Sequence, residues 1–254
     1  MATSQGDQLI RFDNVAKSYS DRRVLSHLSL SIHENDFVAL VGNNGCGKTT
    51  TINILCNLVS YDEGEVRVFG KKVTKDYTSY KSKLGIVLST PYLIGEFSVT
   101  DYLSFVGKFQ FLSRHDIKTR TGDIIRLFDL AEYAALAIKN LSSGNKMKVS
   151  LAAALIHNPE ILVLDEPFVN LDIRTIQNLT DILKSFKGKK TIFITSHNLD
   201  LVTDLCSRFL IMEKGSILTE VTNDSGLTTT ELKEQIKGYL TSGNKPIEQI
   251  DWLK

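Results

Sequence analysis

The chain has 254 residues, 42% hydrophobic and 23% charged; this ordinary globular composition supports a buried core and excludes a disordered or collagen-like protein. Lys and Arg total 30 against 29 Asp and Glu, a formal charge of +1, so no global basic field draws in nucleic acid or an anionic bilayer. No apolar run reaches the roughly 18 residues that cross a bilayer, and MATSQGDQLIRF lacks a leader pattern. The cysteines at 46, 56 and 206 and the five histidines have no metal-ligand spacing, which reads as a reducing cytosol.

In chain order, residues 9–15 and 28–32 alternate apolar and polar, as half-buried strands do. FVALV (37–41) is continuously apolar, the mark of a central strand buried on both faces. It leads into GNNGCGKTT and a helix expected through Asn57. Strands follow at 65–70 and 85–88. After Pro91 the spacing turns helical, with Ser98 and Asp101 placed as a capping box. Residues 98–156 read as almost wholly helical, broken near 113–115 and at 141–145. Strands resume at 161–165 and 191–195; between them Ile173, Ile176, Leu179, Leu183 and Phe186 form an apolar helical stripe that Gly188 stops. RFLIM (208–212) and SIL (216–218) make two last strands. The tail from about Val221 is polar and reads as a small helical appendage. Strands alternating with helices predict an α/β sheet, with its ligand at the strand ends.

Gly42-Asn43-Asn44-Gly45-Cys46-Gly47-Lys48-Thr49 fits G-x-x-x-x-G-K-[ST] in full. Glycines let successive N–H groups converge on phosphate oxygens, and the following helix adds its positive end. Lys48 is the cation for the β- and γ-phosphates, Thr49 offers a hydroxyl to Mg²⁺, and Thr50 is placed for the α-phosphate. ILVLDEP puts Asp165 at the tip of a buried strand, a Mg²⁺ ligand through water, and Glu166 next to it as general base. LSSGN (141–145) puts Ser142 and the N–H groups around Gly144 at a helix start, a ready anion site, though taken alone the segment reads more readily as an ordinary serine cap.

Taken in order, P-loop, LSSGN, VLDEP and ITSHN resemble the nucleotide-binding subunits of ABC transporters over about residues 9–220. The resemblance implies a P-loop NTPase of ABC type: an α/β mixed sheet core, an inserted α-helical subdomain at about 91–156, an N-terminal antiparallel β part, and a short tail at 221–254. It implies a cytosolic motor subunit at the inner face of the membrane that binds and hydrolyses ATP with Mg²⁺. Two copies, or one copy and a related subunit, would sandwich two ATP molecules head to tail and drive an integral-membrane permease, with no nucleic acid involved. Ser142 and Gly144 would then contact a γ-phosphate held by the second subunit, Asp172 would sit across the interface, His197 would be the switch histidine on the γ-phosphate, and Tyr19 would stack on adenine.

Three positions depart from the family pattern. Ser143 and Asn145 stand where LSGGQ has Gly and Gln, and Ser143 would be strained if that backbone needed a glycine-only angle. Ser89 replaces the glutamine near Mg²⁺ and would need a bridging water. Cys46, beside Lys48 and a helix start, is expected to have a lowered thiol pKa and to react first with alkylating reagents. The alternatives are a soluble ABC ATPase, as in iron–sulfur cluster assembly, and an ATP-binding regulatory subunit with weak hydrolysis.

Overall fold

A computed structural model describes residues 7–223 and 227–241. Two long strands open the chain, β1 (Gln8–Tyr19) and β2 (Arg22–His33); with β4 (Glu63–Val68) and β5 (Lys71–Lys72) they form an antiparallel sheet in the order β2-β1-β4-β5. The second sheet holds β3 (Phe37–Val41), β6 (Leu84–Val87), β7 (Ile161–Asp165), β8 (Thr191–Ser196), β9 (Arg208–Glu213) and β10 (Ser216–Thr222). Its order is β10-β9-β3-β8-β7-β6, parallel except for the β9–β10 hairpin.

The apolar strands work as their composition requires. In β3, Phe37, Ala39 and Val41 face a helical layer, while Val38 and Leu40 face the gap between the two sheets. In β7, Leu162 and Leu164 face the helices, and Ile161 and Val163 the gap. A period of two divides each run between two cores. Helix α1 (Lys48–Leu55) lies between the sheets through Ile52, Ile54 and Leu55, and stops short of Asn57.

The other face carries α2 (Val99–Phe109), α3 (Arg114–Leu127), α4 (Ser143–Leu155), α5 (Ile173–Lys184), α6 (Leu199–Val202) and α7 (Thr229–Thr241). Ser98 caps α2 by accepting the Asp101 N–H at 3.1 Å, as the sequence predicts. Between α3 and α4 the expected helix is absent. Residues 128–142 hold only two short 3₁₀ turns, because their backbone is taken up elsewhere: Val99 N–H donates to Leu136 O and Ile138 N–H to Phe97 O. In α5, Leu179 and Leu183 are buried and Phe186 packs just beyond the helix, but Ile173 is 75% exposed at the first turn. The tail forms a helix with core contacts rather than an appendage. Leu232 and Ile236 of α7 are fully buried in the helical-side core, and Lys233 pairs with Asp200 at 2.9 Å. Residues 242–254 lie outside the described residues. Among the described residues, no helix is long and apolar enough to cross a membrane.

Candidate nucleotide site

Parallel strands end together, and β3, β7 and β8 end where α1 begins. The turn from β3 to α1 demands glycine twice. A Cβ on Gly42 would lie 2.4 Å from Met212 O, and Gly47 caps α1 at φ 115°, a left-handed angle costly for any other residue. The first N–H groups of α1 have no partner within the helix and open toward an adjoining cleft. That cleft, of about 440 Å³, is lined by Tyr19, Arg22, Val24, Asn44, Gly45, Gly47, Lys48, Thr49, Thr50 and Glu166. Tyr19 is 44% exposed at its edge, with Lys17 Nζ 5.5 Å from the ring centroid, so one ring face is engaged by a cation.

Lys48, only 6% exposed, donates to Gly42 O at 2.7 Å and Asn43 O at 3.4 Å, and pairs with Glu166 Oε1 at 3.4 Å. The other oxygen of Glu166 accepts from His197 twice, from Nδ1 at 2.9 Å and from the backbone N–H at 3.3 Å. An ionised carboxylate accepts only, so Nδ1 carries the proton. Asp165 is fully buried and accepts from Thr49 Oγ1 at 3.2 Å and Thr195 Oγ1 at 2.6 Å. Glu166 has φ 49°, a left-handed angle at the end of β7, held by its N–H donating to Thr195 O and Oγ1.

Thr195 is the site residue that the sequence reading missed. The β7–β8 register places it opposite Asp165, and its hydroxyl joins both acidic residues: it donates to Asp165 and accepts the Glu166 N–H. Its sequence signal was its place two residues before His197. Thr195→Val keeps the shape and removes both bonds. Turnover is expected to fall about 10-fold, as for residues that orient a site's ligands, with stability lowered by about 1–3 kcal/mol for the unpaired buried groups. Steady-state kinetics and urea melts check this; parent values in both would remove Thr195 from the site.

Other expected site residues lie elsewhere. Ser89 is exposed beyond β6 on the same sheet end, and extending the β6–β7 register puts it level with Glu166, but it does not line the cleft. Ser142 and Gly144 stand at the start of α4 and do not line this cleft. Ser142 Oγ caps α4 by accepting the Asn145 N–H at 3.2 Å, and a Cβ on Gly144 would come within 3.1 Å of Thr175 Oγ1. Asp172 caps α5 by accepting from Thr175 N at 2.9 Å; its bonds from Thr175 hold its carboxyl below the usual range. Ser143 is helical, so no glycine-only angle exists there and the expected strain is absent.

The Cys46 expectation is overturned. Its side chain is 8% exposed and packs in the core between the sheets, and Asn43 and Cys46 line a separate cleft behind the P-loop. Burial pushes the Cys46 thiol up and outweighs the attraction of Lys48; burial also raises Cys56, to about 12, and Cys206. At neutral pH, native alkylation is therefore expected to be slow at all three, tracking unfolding, with no special protection by MgATP. Peptide mapping after timed alkylation checks this, and rapid selective labelling of Cys46 would contradict it.

An α/β sheet carrying a P-loop with paired strand-end carboxylates defines a nucleoside-triphosphate hydrolase site. The ABC transporter family matches residues 25–169. An uncharacterised ABC transporter ATP-binding protein of Methanocaldococcus jannaschii is 33% identical over 207 residues, covering 81% of this chain and 74% of that one. The linearmycin resistance ATP-binding protein LnrL of Bacillus subtilis is 30% identical over 211 residues, 83% and 68% of the two chains. Among solved structures, an ATP-binding subunit of an ABC transporter superposes with a TM-score of 0.80 at 25% identity, covering 90% of this chain and 99% of that one. A dimeric post-hydrolysis state of an ATP-binding cassette bound to ADP and Pi gives 0.77 at 25% identity, covering 84% and 98%. The chain belongs to the ABC transporter ATP-binding family and is an ATP-hydrolysing cassette subunit.

Proposed function

We propose that the cleft takes ATP with Mg²⁺, that two copies close head to tail around two nucleotides, and that hydrolysis drives a separate integral-membrane permease from the cytoplasmic face. The observation that carries the site assignment is the chain Lys48–Glu166–His197, which runs beside Thr49–Asp165–Thr195 at one end of the parallel sheet. Lys48 neutralises the β- and γ-phosphates, Thr50 and the N–H groups of Gly45 and Gly47 reach the phosphate oxygens, and Tyr19 stacks on the base. The oxygens of Thr49 and Asp165 are the hard donors that Mg²⁺ prefers, and they would hold it; bound there, it supplies charge neutralisation at the phosphates. Glu166 takes a proton from water as the water oxygen bonds to the γ-phosphorus and the bond to the β–γ bridging oxygen breaks. The leaving ADP oxygen keeps the electron pair. His197 orients Glu166 and lies ready for the γ-phosphate. Ser142 and Gly144, at the start of α4, serve the partner's nucleotide, with Asp172 at the same interface.

Support for a permease comes from the far side of β6. A groove of about 350 Å³ lies between that strand and the helical subdomain, lined by Ile86, Leu88, Tyr92, Tyr102, Val106 and others. Phe105, Phe109 and Phe111 of the same subdomain are exposed large apolar side chains. An apolar groove with exposed large apolar side chains on the same subdomain is the kind of surface that a docking partner covers. Affinity purification from solubilised membranes tests the reading: a polytopic protein is expected to co-purify, and recovery of soluble partners alone would favour the soluble ABC ATPase.

A further inference from the structure

We propose that Asp62 is a positioning residue for the nucleotide base: it holds Lys17 and Ser18, and through them sets the Tyr19 ring at the cleft. The proposal rests on the reading in which Tyr19 stacks on the base.

Tyr19 stands where the antiparallel sheet runs out. Ala16 pairs with Glu63, the first residue of β4, and is the last residue of β1 to pair with that strand. Lys17, Ser18 and Tyr19 therefore continue with β2 alone beside them, and Tyr19 pairs with Arg22 across the turn at Ser20 and Asp21. Two strands without a third are marginally stable in water. The β1–β2 register also shifts between Val15 and Lys17 and again between Lys17 and Ser18, so the ladder is irregular just before the tyrosine.

Asp62 takes the place of the missing strand. Its N–H donates to Ala16 O at 2.9 Å. Its carboxylate accepts from Lys17 Nζ at 2.9 Å on one oxygen and from the Ser18 N–H at 2.7 Å on the other. The three residues ahead of Tyr19 are thus tied to one aspartate. The segment that carries Asp62 has no room to drift: at Gly64, φ 86°, a Cβ would lie 2.4 Å from Asn14 O of β1. The bonds from Lys17 and Ser18 hold the Asp62 carboxyl below the usual range, so it is ionised at neutral pH.

Lys17 carries the restraint to the ring. Its side chain is 11% exposed, and its ammonium lies 5.5 Å from the Tyr19 ring centroid, close enough to attract a ring face. Asp62 fixes the ammonium, the ammonium holds one face of the ring, and the other face is left for the base beside the P-loop residues that line the same cleft.

A ligand without a base separates this role from general damage. Inorganic tripolyphosphate meets the P-loop but has nothing to stack. Isothermal titration, without Mg²⁺ so that nothing turns over, compares it with ATP. Asp62→Ala and Lys17→Met are each expected to weaken ATP binding about 3–10-fold, a part of what base–aromatic stacking contributes, with tripolyphosphate bound as by the parent. The double variant Lys17→Met/Asp62→Ala is expected to lose no more than the larger single loss, because the two residues act as one unit. It also serves should Asp62→Ala misfold, since it leaves no buried ammonium unpaired. Tyr19→Ala is expected to weaken ATP binding about 10-fold or more, and adding the double variant to it should cost nothing further. Parent ATP affinity in the double variant, or an equal loss for ATP and tripolyphosphate, overturns the role of Asp62. So does a loss that persists in the Tyr19→Ala background, because the pair then does not act through the ring. Parent ATP affinity in Tyr19→Ala overturns the stacking itself, and the proposal with it.

Discussion

Lys48→Ala is expected to weaken ATP binding by at least about 100-fold, or about 2.7 kcal/mol. Two effects add. The ammonium is buried in the P-loop and fixed by Gly42 O and Asn43 O, so its position is set before nucleotide arrives. Truncating a buried, hydrogen-bonded charge partner costs about 2–5 kcal/mol. The same substitution leaves Glu166 without its 3.4 Å cation in a cleft that must accept phosphates. That carboxylate then repels the ligand. Isothermal titration of the parent, Lys48→Ala and the double variant Lys48→Ala/Glu166→Gln separates the two: the double variant is expected to recover part of the loss. An affinity within about threefold of the parent in Lys48→Ala, a difference of about 0.6 kcal/mol, would place the nucleotide elsewhere.

Glu166→Gln is expected to lower turnover at least 100-fold, since an amide of the same shape cannot take the proton from water. Nucleotide affinity should rise rather than fall. In the structure Glu166 holds Lys48 by one oxygen and His197 by the other, so phosphate must compete with an internal anion for the lysine. Glutamine keeps the hydrogen bonds, weakens the ion pair, and fits the same left-handed backbone as well as glutamate does. A few-fold tighter Kd is expected, about 1 kcal/mol or less, because at 3.4 Å the pair is longer than a strong charge-assisted hydrogen bond. With product formation blocked, MgATP should also shift the variant to a dimer on sizing chromatography. Turnover at the parent rate would show that another group takes the proton.

Both central strands and the P-loop were legible because their signals are local. FVALV and ILVLD are apolar at every position, and the strands they form are divided between two cores. The glycine pattern at 42–47 answers to backbone angles and close approaches within a few residues. What escaped the sequence depends on partners far along the chain. Thr195 acquires its role only through the register that sets it opposite Asp165. The Ala- and Leu-rich stretch 128–142 has the propensity for helix, but Phe97 and Val99 claim its backbone. The pull of Lys48 on Cys46 was identified with the correct sign, yet the direction of the side chain into the core decides the net effect. Leu232 and Ile236, four apart, carry the stripe of α7, and only the tertiary structure gives them a surface to cover.

The packing of Gly144 on Thr175 makes a mechanical joint. Thr175 is also held by Asp172, and Ser143 Oγ donates to Asn170 O at 3.4 Å, so the starts of α4 and α5 form one hydrogen-bonded block. That block begins four residues after Glu166. In the proposed head-to-tail dimer, a displacement imposed at Ser142 by a nucleotide on the second copy would be passed on to the segment that follows Glu166 with little slack, because close-packed contacts transmit strain. Two sites joined in this way keep each other's time. The rate should rise with ATP more steeply than a single hyperbola, with a Hill coefficient between 1 and about 2.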